Sequence, residues 1–195
     1  MRTIGVEEEL ILLDAGNGQP LNVAAEVVDA ASARERHSPS PHDEHGGSLD
    51  FEVQKSQIET DTPPLTSSTD IDEALRAWRE RARGSALEVG ARVLASGTAP
   101  LPGATGVRRT QRFDAMSQRY GLTLAEQLVC GCHVHVAVAD DDEGVAVLDR
   151  IRVWLPLLLA YSANSPWWHG KDTGYQSYRS QVMARWPSTG ALPVL

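Results

Sequence analysis

Residues 3–13 read Thr-Ile-Gly-Val-Glu-Glu-Glu-Leu-Ile-Leu-Leu, a strand-forming run that ends in the turn-rich Asp14, Gly16, Asn17, Gly18 and Pro20. Side chains of a strand alternate between faces, so Glu7 and Glu9 project together with Gly5, Ile11 and Leu13, the two carboxylates roughly 7 Å apart. Glu8 falls on the other face with Ile4, Val6, Leu10 and Leu12. A strand this apolar is expected to be half buried or more, and carboxylates there need partners, usually a cation. A solvated acidic edge of a surface strand accounts for the segment equally well.

A second stretch, within the strand expected from Leu128 to Val138, repeats the logic: Cys130-Gly131-Cys132-His133-Val134-His135-Val136. His133 and His135 share a face with Gly131 and Ala137, while Cys132, Val134 and Val136 point the other way. Paired histidines at this spacing suit metal ligation, and the adjacent glycine leaves room for a ligand; hydrogen-bonded core histidines are the structural alternative. The cysteines read as small core residues, on a side of the strand that argues against a zinc site. Glu52 and Glu59 lie in a further extended segment, Ser48 to Asp61. Their odd spacing puts them on opposite faces of an unbroken strand, so both reach one site only if the chain bulges or turns between them.

Helices separate these strands. Asn22 can cap a short helix through Val23, Val27 and Val28. Ala33 to Gly47, with Pro39, Pro41 and three histidines, reads as an exposed, mobile loop. Asp70 followed by Glu73 resembles a capping box, and Ile71, Ala74, Leu75, Trp78 and Ala82 recur at helical spacing, which predicts a helix over 71–90. Val93 to Ala95 suggests a short strand, followed by a Pro/Gly-rich loop and a basic one with Arg108, Arg109 and Arg112. The Asp140–Asp142 turn leads into a helix marked by Leu148, Ile151, Leu155 and Leu158. Residues 164–190 are rich in Gly, Ser, Trp and Tyr, and Lys171 and Arg179 there make a wall suited to an anionic small molecule; a surface loop with aromatic anchors is the alternative. Unequal helices between strands predict an α+β fold, a mostly antiparallel sheet with flanking helices.

The 195 residues suit one ordinary domain, and 42% hydrophobic with 23% charged residues is a globular composition. A net charge of −8 argues against a nucleic-acid partner, although a bound metal can make an acidic protein accept phosphate. Two cysteines exclude a disulfide framework and fit a reducing cytosol. The start Met1-Arg2-Thr3-Ile4 lacks a secretory signal pattern, and the apolar run Trp154 to Ala160 contains Pro156 and is too short for a bilayer. A soluble, cytoplasmic protein without membrane or nucleic-acid partners is expected.

Four stretches carry a resemblance: GVEEE (5–9), FEVQKSQIET (51–60), CGCHVHVAV (130–138) and ANSPWWHGKDTGYQSYRSQVMARWP (163–187). Together, and in this order, they resemble the glutamate–cysteine ligase 2 family of carboxylate–amine ligases, distant relatives of glutamine synthetase. The resemblance implies a glutamine synthetase-like catalytic fold that is incomplete here, with 1–195 as the N-terminal part of a single catalytic domain. It implies Mg2+ held by Glu7, Glu9, Glu52, Glu59 and His133, with Glu8 at a variable position. It places Arg179 on the substrate carboxylate or a phosphate, gives His133 a catalytic role beside its metal-binding one, and lets the basic loop with Arg112 close over the nucleotide; Lys171 and His135 are expected to bind cofactor as well. Ala137 stands where relatives usually carry glycine.

The implied reaction is ATP-dependent: ATP phosphorylates a carboxylate of glutamate or a similar acid, and an amine such as cysteine displaces phosphate to leave an amide. Metals are needed because two like unit charges about 4 Å apart repel by roughly 4 kcal/mol at a protein-like effective dielectric. A homo-oligomer or a complementing C-terminal half is the expected partner. Two other readings compete. One is a zinc or iron hydrolase built on His133 and His135. The other is an inactive half that only pairs with a partner chain and should expose a large apolar patch.

Overall fold

The computed structural model describes residues 1–37, 46–103, 106–187 and 189. Strand β1 (Ile4–Asp14) is its spine. On one edge it pairs antiparallel with β3 (Gln57–Asp61), which in turn carries β2 (Ser48–Phe51). Two strands share the other edge end to end, both antiparallel: β4 (Ala91–Leu94) beside residues 11–14 and β5 (Cys132–Val136) beside residues 4–8. The result is a five-stranded antiparallel sheet with flanking helices, an α+β fold.

The even-numbered face of β1 is apolar apart from Glu8 and the terminal Asp14, and it is this face that the helices cover. Helices α1 (Ala24–His37) and α2 (Ser68–Glu88) lie across it. Leu10, Leu12, Val27, Leu49, Ile58, Trp78 and Ala82 form one buried cluster there. Ala74, Trp78, Ala82 and Ala86 recur every fourth residue, so α2 presents a single stripe. Each fully buried aliphatic side chain contributes about 1.5–3 kcal/mol, which makes this cluster the main anchor of the sheet. A smaller cluster, Ile11, Ala99, Leu128 and Cys130, sits on the opposite face of β1 toward its C-terminal end.

Several elements differ from their predicted form. Helix α2 starts at Ser68 and is capped by Ser67, whose Oγ accepts the Asp70 N–H at 3.4 Å. Asp70 therefore lies inside the first turn, where its charge favours the helix N-terminus. Helix α1 continues past Ala33 to His37; the rest of the loop predicted there, residues 38–45, lies outside the described residues. The extended segment 48–61 is a hairpin, two strands around a turn at residues 52–56. Arg112 lies not on a loop but on α3 (Gln111–Tyr120), which the short α4 (Leu122–Ala125) follows.

Beyond β5, α5 (Asp141–Ile151) is capped by the Asp140 carboxylate, which accepts the Glu143 N–H at 2.9 Å. A 3-10 turn at 152–154 joins it to α6 (Leu155–Tyr161). The aromatic segment forms a ribbon, β6 (Trp167–Trp168) against β7 (Lys171–Asp172), before α7 (Arg179–Met183). No helix among the described residues is long and apolar enough to cross a membrane.

Candidate functional site

The register of the sheet assembles the site. Glu7 stands opposite His133 on β5 and Asp61 on β3, and Glu9 stands opposite Glu59. Residues directly opposite in an antiparallel pair share a face, so Glu7, Glu9, Glu59, His133 and His135 all project from the side away from α1 and α2. The hairpin resolves the odd spacing of Glu52 and Glu59: Asp50 pairs with Glu59, and Glu52 follows two residues on, next to the turn. Its charge is felt at both Glu9 and Glu59.

Hydrogen bonds fix the members. One oxygen of Glu7 meets both imidazoles, His133 Nδ1 at 3.0 Å and His135 Nε2 at 3.0 Å. The Gly131 N–H donates to Glu9 Oε2 at 2.9 Å, and the other Glu9 oxygen lies 4.0 Å from His133 Nε2. His133 thus stands between two groups, Glu7 with His135 on one side and Glu9 with Glu59 on the other. In each group one ligand atom per residue lies within 4.8 Å of the others.

The site carries an excess of negative charge. Hydrogen bonds from His133, then His135, hold the Glu7 carboxyl below its ordinary range. Burial lifts Glu9, with the charge of Glu52 adding to it against the Gly131 hydrogen bond. Glu59 is pushed up to about 7, first by desolvation and then by the charges of Glu52, Glu7 and Glu9. Burial and like-charged neighbours together favour the neutral form of this carboxyl.

Arg179, the first residue of α7, reaches the same corner. The backbone of α7 is docked through the Arg179 N–H, which donates to Ser165 Oγ at 3.1 Å. A methyl group built on Gly131 would lie 3.3 Å from an Arg179 guanidinium nitrogen and 2.8 Å from His133 Nε2. Glycine there lets imidazole and guanidinium crowd the strand together. Arg179 Nε is buried without a hydrogen-bond partner among the described residues.

The structure does not bring every expected residue here. Lys171 is exposed on the β6–β7 ribbon, which is tied to the 98–100 loop by Thr98 Oγ1 donating to the Trp167 carbonyl at 2.9 Å. Arg112 is exposed on α3, its guanidinium 5.7 Å from the Phe113 ring. Neither forms a hydrogen bond or ion pair with the carboxylates among the described residues. Of the cysteines, Cys130 is buried in the smaller cluster, but Cys132 is exposed, because the helical layer stops short of β5.

Two features of the site escape the sequence reading, Asp61 beside Glu7 and the Gly131 N–H. Asp61, two residues from Glu59 on one strand, is visible by parity; the Gly131 contact depends on pairing. A cleft of about 310 Å³ borders Glu7 and His135 and is lined also by Thr3, Asp61, Thr62 and Pro64.

An antiparallel sheet with a cluster of carboxylates and imidazoles on its open face defines the class of site. Comparison with known proteins specifies the family. The family model described as Glutamate-cysteine ligase family 2 (GCS2) matches residues 3–195, and the chain belongs to that family. It is 46% identical over 194 residues to a Paenarthrobacter aurescens protein named "Putative glutamate--cysteine ligase 2-1", covering 100% of this chain and 50% of the relative. A Streptomyces avermitilis protein of the same name is 45% identical, with 97% of this chain and 50% of the relative covered. "Putative glutamate--cysteine ligase 2" of Streptomyces coelicolor is 42% identical, again at 97% and 50%. The chain spans about half the length of the curated relatives it matches.

Proposed function

We propose that this chain supplies the metal-holding part of an ATP-dependent carboxylate–amine ligase that joins glutamate or a similar acid to an amine such as cysteine. The observation that carries the reading is the pair of donor groups sharing His133, in a family of glutamate–cysteine ligases. In the proposed reaction a carboxylate oxygen attacks the γ-phosphorus and ADP leaves. The amine nitrogen then attacks the acyl carbon, phosphate leaves, and the amine gives up a proton.

The donor set fits magnesium. Glu7, Glu9, Glu52 and Glu59 offer the hard oxygens it prefers, and the crowding of Glu59 by Glu52, Glu7 and Glu9 supports a cation there. With His133 they would hold Mg2+, which when bound neutralises the charge of the triphosphate and the carboxylate. Arg179, with a free buried N–H beside Glu9, would orient the acceptor carboxylate or the transferred phosphoryl group. His133 would hydrogen-bond that same group. His135, Lys171 and Arg112 are assigned to the nucleotide, the last two from elements that must approach the site. The two free thiols fit a cytoplasmic setting.

The test uses this chain joined to the C-terminal half of a relative, incubated with ATP, glutamate and a panel of amines while ADP is assayed. Glu7→Gln or Glu59→Gln should reduce ADP release by more than about 100-fold. A wild-type rate in either variant removes that residue from the metal site. The zinc or iron hydrolase reading draws on Glu7, His133 and His135, two imidazoles and a carboxylate in one group. It requires tight transition-metal binding and hydrolysis without ATP, which the same samples would reveal.

A further inference from the structure

The helical layer covers only part of the sheet. Above β1 and β3 the even-numbered face is sealed: Leu10, Leu12 and Ile58 are buried. Above β5 it is bare, with Val134 62% exposed and Val136 50% exposed. The outer edge of β5 has no partner strand among the described residues. A half-bare strand with a free edge is a surface that natural proteins cover or charge, and β5 is neither covered nor charged on this face.

The segment that follows has the same property. None of α5, the 152–154 turn and α6 contains a buried residue. Within α6, Leu155, Leu157, Leu158 and Leu159 are all exposed and, at 3.6 residues per turn, span more than about half of the helix circumference. In α5, Val145, Val147, Leu148 and Ile151 are likewise exposed. A helix apolar over so wide an arc belongs inside a protein, not on its surface. The first turn of α5 is tied to the chain ahead of β1 by the Arg2–Glu143 ion pair, and the same guanidinium donates to the Ala137 carbonyl just past β5 at 2.9 Å.

We infer that β5, α5 and α6 form the docking face for a C-terminal ligase half, the polypeptide that makes up the other half of the relatives. Those relatives match this chain over about 50% of their length, so each carries in the same molecule as much chain again. That extra length, carried in cis by the relatives, is the occupant; a second copy of the present chain is the competing occupant, which the concentration dependence of exchange separates. The inference rests on the family assignment and not on the proposed reaction.

Hydrogen exchange tests it without reference to activity. The 195-residue chain is compared with the same chain fused to the C-terminal half of the Paenarthrobacter aurescens relative. Amides of residues 141–161 should exchange at least about tenfold more slowly in the fusion, while those of β1 should be unaffected. Leu148→Asp with Leu158→Asp should abolish the slowing, whereas Leu122→Asp, at an apolar site 74% exposed on α4 and outside this face, should leave it intact. Equal exchange in both proteins overturns the inference. So does slowing that appears in the isolated chain as its concentration is raised, which would assign the face to a second copy.

Discussion

Glu8 and Glu9 are neighbours in sequence and opposites in structure. Glu8 points into the helical layer, its side chain 9% exposed, and is gripped by Arg79 of α2 through Nε at 2.7 Å and a terminal nitrogen at 2.5 Å. Glu9 points to the open face, where one backbone N–H and a shared imidazole meet it and Glu52 repels it. A carboxylate kept for architecture brings its own cation. Those kept on the open face are crowded by like charge, a cost to the fold that a bound ion would relieve. The difference between the two faces suggests where structure ends and chemistry begins.

The contrast can be broken most severely at Gly131. Gly131→Ala would push His133 and Arg179 apart, since the added methyl would lie 2.8 Å from His133 Nε2. In the complete ligase, activity should fall about 100-fold while circular dichroism stays unchanged. An active Gly131→Ala enzyme would detach this corner from the reaction.

On the architectural face, Arg79→Ala leaves the Glu8 carboxylate without its partner. Because Arg79 itself is half exposed, the cost should be about 2 kcal/mol in urea unfolding, below that of a fully buried pair. Replacing both residues by leucine should recover most of that loss.

On the open face, the sign reverses. The Glu59 carboxyl is raised from 4.5 to about 7 in the folded chain, so the native state binds the proton more tightly than the unfolded one. Its contribution is fully present below pH about 4.5 and is lost as the pH rises through about 7. Glu59→Gln, which cannot ionise, should therefore stabilise the metal-free protein by about 1 kcal/mol at pH 8, after discounting for solvent screening, and by little at pH 4. A variant less stable at pH 8 than at pH 4 relative to wild type would contradict the charge excess.

The smallest effect concerns the thiols. Burial raises the Cys130 thiol strongly and Cys132 is exposed, so a thiol reagent should label Cys132 first, with Cys130 reacting only on unfolding.

Much of this comparison was legible in the sequence. Alternation alone separated Glu8 from Glu7 and Glu9, and put His133 with His135, because strand parity is a local rule. What parity could not supply is which strands meet. That Glu7 faces His133 is a pairing across 126 residues, and Arg79 reaches Glu8 across 71. Glu52 looked misplaced because the turn after β2 was hidden within a segment that reads as one strand. Asp70 and Ser67 both favour helix starts, and only the extended backbone of Ser67 makes it the cap. Arg112 is assigned from the resemblance and Lys171 from its aromatic, glycine-rich segment, and neither pairs with the carboxylates among the described residues.

The central claim is that the open face is a seat for hard divalent ions. Titration of Mn2+, as a paramagnetic stand-in for Mg2+, into the wild-type chain and into Glu9→Gln/Glu59→Gln tests it most directly. The account requires saturable binding that raises the melting temperature of the wild type and disappears in the double variant. Binding that is absent from the wild type, or unchanged when both carboxylates are gone, would contradict it.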